Sequence, residues 1–118
     1  MASRFVGTWM CQFYDWEHEA IIPTPPFPLT IEQASETSLK GSYPIREHPE
    51  HPPATLEGPL TNKGKVWAGY FKGILEGTFL FVIADDGDSF HGAWVMDKRE
   101  GPPQPWWGYR REYAETTD

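Results

Sequence analysis

The side chains able to do chemistry are few, and most fall in two proline-rich stretches. His48-x-x-His51 and His18 lie among Glu17, Glu19, Glu47 and Glu50. Imidazoles beside carboxylates are the ligand types that hold zinc or iron. Pro49 removes the helical spacing that makes a two-histidine motif specific, and solvated loop residues of an acidic chain account for the same pattern. His18, His48 and His51 are the metal candidates; no metal and no cofactor is expected. Asp85-Asp86-Gly87-Asp88 resembles a calcium loop in composition, but the run is too short for that ligand spacing, and a tight turn explains each residue. Cys11 is the only cysteine. It would be a nucleophile only beside a base that lowers its pKa; none is identifiable, and a buried, inert thiol is the reading.

The elements that position these groups are strands. Helical periodicity is nearly absent, and period-two runs separated by Gly, Pro, Asn and Asp recur throughout. Eight strands are expected, at about 4–14, 29–33, 38–45, 54–61, 65–72, 74–84, 89–97 and 106–113, with a frayed tail at 114–118. Phe5, Gly7, Trp9, Cys11 and Phe13 share one face of the first. Stretches 16–28, 44–53 and 98–105 are too rich in proline for a central strand and read as long loops. Glycine recurs in mid-strand at Gly7, Gly41, Gly58, Gly69, Gly77, Gly92 and Gly108, flanked two positions away by bulky apolar residues. Glycine weakens a strand, so a geometric reason is required, and the strong coiling and crowding inside a small closed barrel supply one. The fold expected is all-β, an eight-stranded antiparallel up-and-down β-barrel in a single domain, 1–118. In such a meander the connections 2–3, 4–5 and 6–7, all tight turns, fall at one end, the three long loops all fall at the other, and the loop-ringed mouth is where barrels bind ligands.

Composition narrows the function. The 118 residues carry 17 acidic and 10 basic side chains, a formal charge of −7, which repels phosphate backbones and anionic membranes; neither nucleic acid nor membrane is an expected partner. One cysteine excludes an intrachain disulfide, the start lacks an apolar leader core, and no apolar run approaches a membrane span. The expectation is a soluble, cytoplasmic protein.

Gly7-Thr8-Trp9, Gly41-Ser42-Tyr43, Gly92-Ala93-Trp94 and Gly108-Tyr109-Arg110 resemble the strand motifs of the calycin barrels, and within them the streptavidin and avidin type. The resemblance implies that Trp9 packs at the closed end beneath Arg110 as a cation–π pair, and that Tyr43 stands where a ligand tyrosine would. It does not extend to biotin: the position of the ureido-binding Asn is Cys11, a weak donor.

The leading functional reading is a small-molecule binding barrel, for a partly apolar or aromatic ligand, with Tyr43, Trp67, Phe71, Phe79, Phe81, Trp94 and Trp106 as pocket residues. Gln33, Arg110 and, with a shift of parity, Thr55 or Glu57 are the polar interior candidates, and Arg46 and Arg99 flank the mouth. One alternative is a cofactor-free cyclase or isomerase, with Glu47, His48, Tyr43 or Glu17 as acid or base. Another is an interaction module with a solid aromatic core. The sixth strand is apolar on both faces, with Leu80, Val82 and Ala84 outward, which points to a homodimer or larger homo-oligomer through the fifth to seventh strands.

Overall fold

A computed structural model describes residues 3–17, 20–46, 48–97 and 103–110, the backbone alone at 15–17 and 20–23. Its strands are β1 (Gly7–Glu17), β2 (Ala20–Pro23), β3 (Phe27–Ser35), β4 (Ser38–Tyr43), β5 (Ala54–Thr61), β6 (Val66–Lys72), β7 (Glu76–Ile83), β8 (Ser89–Met96) and β9 (Gln104–Arg110). Every pairing is antiparallel. Eight strands, β1 and β3 to β9, follow one another around a sheet that β9 closes by pairing back onto β1, Phe13 with Trp106 and Trp9 with Arg110. The closed eight-stranded, up-and-down barrel is therefore present, and closure leaves those eight strands without a free edge along the shared register.

The stretch 16–28 differs from expectation. It is not a loop. β1 runs on to Glu17 and folds back as β2, which pairs only with β1, from Tyr14 with Pro23 to Glu17 with Ala20. This ribbon stands beyond the barrel wall, and its foot is tied down where Thr24 N–H donates to the Phe13 carbonyl at 2.8 Å. Proline density misleads here because prolines at a free edge or a one-sided pairing remove no ladder bond. Pro23 ends the outermost strand. Pro28 pairs with Met10 while β4 joins β3 only from Thr30, and Pro105 pairs with Ala93 while β1 joins β9 only from Trp106. For the same reason β3 starts at Phe27 and β9 at Gln104, each two residues earlier than the patterning suggests. Residues 111–118 lie outside the described chain.

Period-two alternation sets the faces. Along β7 the burial reads exposed, buried in strict alternation from Glu76 to Phe81, so Phe79, Phe81 and Ile83 enter the core and Leu80 faces out. Thr55 and Glu57 also point outward, no bulge having shifted their parity. Inward glycines let the strands coil. A Cβ on Gly92 would sit 1.7 Å from the Leu80 carbonyl oxygen, and one on Gly77 would sit 1.9 Å from that of Val95. At Pro59, which has no N–H to give, the β5–β6 ladder opens, and the neighbouring Gly58 carbonyl accepts the Trp67 indole N–H at 3.1 Å instead.

Short turns close the other end: 36–37, the left-handed turn Asn62-Lys63-Gly64, and 84–88. In the last of these Asp86 caps its own turn by accepting from Asp88 N–H at 2.9 Å. The aspartates of this run are turn chemistry, at the end away from the mouth.

The outer face of β7 and β8 is apolar where expected. Leu80 is 46% and Val95 37% exposed, with Val82 and Ala93 half-buried beside them. Among the described residues no helix is long and apolar enough to cross a membrane.

Candidate functional site

The barrel interior divides into two levels. In the lower one, Trp9, Trp67, Phe79, Phe81 and Phe90 form a continuous aromatic core. Trp67 meets Phe79 edge-on at 4.8 Å and Phe81 stacks on Phe90 at 4.5 Å. Phe5, just before β1, plugs the bottom against Trp67 and Phe90, and its carbonyl accepts the Trp9 indole N–H at 2.7 Å. Arg110 seals this end. Its guanidinium carbon lies 3.9 Å above the Trp9 ring, and its N–H groups donate to the carbonyls of Val6, Gly87 and Arg4. A planar donor fork suits the combination of ring stacking and several carbonyl acceptors.

Above this core the barrel opens. A cavity of about 430 Å³ occupies the mouth, within the range of roughly 300–1,000 Å³ common to small-ligand pockets. Its floor is aromatic: Phe13, Phe27, Phe71, Trp94 and Trp106. Trp106 is the central ring, 1% exposed, 4.8 Å from Phe13 and 5.9 Å from Tyr43 between centroids. Trp94 is held in place from the far side of β9, its indole N–H donating to the Tyr14 carbonyl at 3.0 Å. That carbonyl is reachable because β1 outruns the β9 ladder at this height. The walls and rim are Thr24, Pro25, Tyr43, Pro44, Ile45, Arg46, His48, Gly73, Ile74 and Leu75, contributed by the ribbon foot, the 44–53 loop and the β6–β7 turn.

The residues singled out from sequence separate by height. Tyr43, Phe71, Trp94 and Trp106 line the cavity; Trp67, Phe79 and Phe81, although on the correct faces, lie in the packed level below it. Tyr43 packs on Phe27 at 4.8 Å. His48 reaches the rim, its Nδ1 3.6 Å from Glu50 Oε1. His51 turns away and bonds through Nδ1 to the Pro52 carbonyl at 2.8 Å. The two imidazoles have different partners, although the turn between them is closed by the His51 N–H donating to the His48 carbonyl at 2.9 Å. Among the described residues no group of three or more His, Cys, Asp or Glu could hold a metal ion. His18, Glu19, Glu47 and Arg99 lie outside the described residues, as does the Glu17 side chain. Gln33 is at the closed end, where it accepts from the Ser3 N–H at 2.9 Å.

Phe13, Phe27, Ile45, Ile74 and Leu75 were not among the expected lining residues. Phe13 carried a readable signal, as the last inward position of β1; Phe27 was hidden by its prolines. Cys11 is fully buried beneath this floor. Burial pushes its thiol well above the usual cysteine range, an effect that the nearby Trp106 indole only partly offsets. The thiol is a poor hydrogen-bond acceptor, and its contact with Trp106 falls short of a hydrogen bond: Trp106 Nε1 is buried with no partner among the described residues.

The arrangement can hold one small molecule against ring faces and orient it by groups at the rim. The chain matches no family model, and no curated protein resembles it in sequence.

Proposed function

We propose that this protein is a small-molecule binding barrel, and that its ligand is partly apolar and bears a ring. The observation that carries the reading is the aromatic-floored cavity at the mouth, set above a core whose rings are in mutual contact. A barrel built only as a spacer or docking module has no need to keep a cavity bordered by aromatic side chains at one end. The streptavidin-like arrangement belongs to the same proposal, supported by the Trp9–Arg110 stack at the closed end and by Tyr43 at the mouth. Biotin is not the proposed ligand, since Cys11 lies buried below the cavity floor. A cyclase or isomerase activity is a second reading, because Tyr43 and His48 place titratable groups on the cavity wall, where an acid or base would act.

The test fills the mouth. Ile45→Trp, at a half-buried rim position, occupies the opening without touching the lower core. Calorimetric titration with 2-naphthylmethanol is expected to show binding to the native protein and at least about tenfold weaker binding to the variant, with the thermal midpoint retained. Equal binding by the two proteins would place the ligand elsewhere and end the proposal.

A further inference from the structure

We infer that the ligand is an anion, an aromatic or ring-bearing monocarboxylate whose ring lies in the aromatic-lined cavity at the mouth and whose carboxylate meets Arg46. The inference rests on the binding-barrel reading and adds the ligand's charge and orientation to it.

Charge distribution carries the argument. The protein is strongly acidic, with a net charge of −7. Nevertheless, the described residues that line the cavity include no Asp and no Glu, and their one fixed charge is the Arg46 guanidinium. Arg46 makes no ion pair or hydrogen bond within the described structure, whereas Arg4 and Arg110 are both engaged with backbone carbonyls. A guanidinium over an apolar cup is well matched to a carboxylate, because its planar fork donates two parallel hydrogen bonds. The other polar groups are compatible. Thr24 Oγ1 accepts from the Phe13 N–H at 3.2 Å, which leaves its own hydroxyl proton to donate toward the cavity. His48 stands on the same rim, its Nδ1 3.6 Å from the carboxylate of the exposed Glu50, which does not itself line the cavity. The polarity is thus arranged along the barrel axis: rings at the bottom, a cation and donors at the top. A neutral ligand would leave the cation without a role, and a cationic one would be repelled by it.

The size of the effect follows from exposure. Arg46 is exposed at the rim, so its attraction is screened by water and salt. A selectivity of about fivefold for an anion over its neutral isostere is expected at low ionic strength, far below that of a buried pair.

The experiment is a paired calorimetric titration of 2-naphthoate and 2-naphthylmethanol, which share the ring and differ in charge, against the native protein, Arg46→Gln and Arg46→Lys. The native protein is expected to prefer the carboxylate about fivefold. Arg46→Gln should bring the ratio near one, and Arg46→Lys should recover part of it, since an ammonium keeps the charge without the fork. Two probes bound equally well by the native protein, or a ratio untouched in Arg46→Gln, would overturn the inference while leaving the cavity as a binding site. No binding of either probe would overturn both readings together.

Discussion

Replacing Arg110 by lysine probes the sealed end of the barrel and has a magnitude that can be worked from the geometry. The native guanidinium donates to the carbonyls of Val6, Gly87 and Arg4 and covers the Trp9 ring at 3.9 Å. A lysine ammonium on a shorter, non-planar head cannot reach acceptors on both sides of the ring and stack on it at once. Losing two charge-assisted hydrogen bonds, each worth about 1.5 kcal/mol before screening and roughly half that at a part-exposed site, gives about 1.5 kcal/mol. The weakened cation–π contact adds about 0.5–1 kcal/mol. The sum is about 2–2.5 kcal/mol, or about 8–12 °C in Tm for a domain of this size. Arg110→Met, which keeps the apolar stem but leaves all three carbonyls unpaired, should lose more than lysine does. Thermal unfolding followed by near-ultraviolet circular dichroism reads both, since Trp9 sits in the affected core. A fall of less than about 2 °C in the methionine variant would refute the idea that this residue holds the end closed.

Other consequences can be checked independently. Gly92→Ala brings a Cβ to 1.7 Å from the Leu80 carbonyl oxygen, so β7 and β8 must part; a loss of at least about 3 kcal/mol in urea unfolding is expected, and a near-neutral result would mean that the strands are not so closely coiled. Burial raises the Cys11 thiol above its ordinary value of 9.0 in the folded protein. The unfolded chain then loses this proton at lower pH than the folded one, and stability falls as pH rises past about 9, by up to about 1.4 kcal/mol per unit. Comparing native protein with Cys11→Ala between pH 8 and 10 isolates that slope, and parallel profiles would contradict it. Sedimentation across a concentration series tests whether a second copy covers the outer stripe around Leu80 and Val95: Leu80→Lys is expected to shift a dimer to monomer, and a native protein monomeric at every concentration would remove the oligomer expectation.

Face was readable from sequence and height was not. Alternation put Phe71, Phe79, Phe81 and Trp94 inside because side chains in a strand alternate by two. It is blind to the level at which each side chain meets its neighbours, which depends on the stagger between strands. Hence Phe79 and Phe81 were grouped with Phe71, although the first two fill the lower core and only Phe71 borders the cavity. The recurrent inward glycine was legible for a related reason: coiling demands it wherever a neighbouring carbonyl takes the Cβ position. Proline was the misleading signal. Pro23, Pro28 and Pro105 each sit where a strand has a neighbour on one side only, so the ribbon β1–β2 and the early start of β3 were concealed, and Phe27 with them. Arg46 was visible as a residue at the mouth, but its standing as the one fixed charge among the described lining residues depends on which side chains reach the cavity.

The most direct measurement uses the tryptophans as position markers. In a ¹H–¹⁵N correlation spectrum each indole N–H gives its own resonance, and titration with 2-naphthoate reports on both levels of the barrel at once. The Trp94 and Trp106 indoles border the cavity, while those of Trp9 and Trp67 are held below it by the carbonyls of Phe5 and Gly58. Saturable shifts at Trp94 and Trp106, with Trp9 and Trp67 unmoved, are the predicted result. Shifts at Trp9 or Trp67 instead, or none at any of the four, would contradict a ligand site at the mouth.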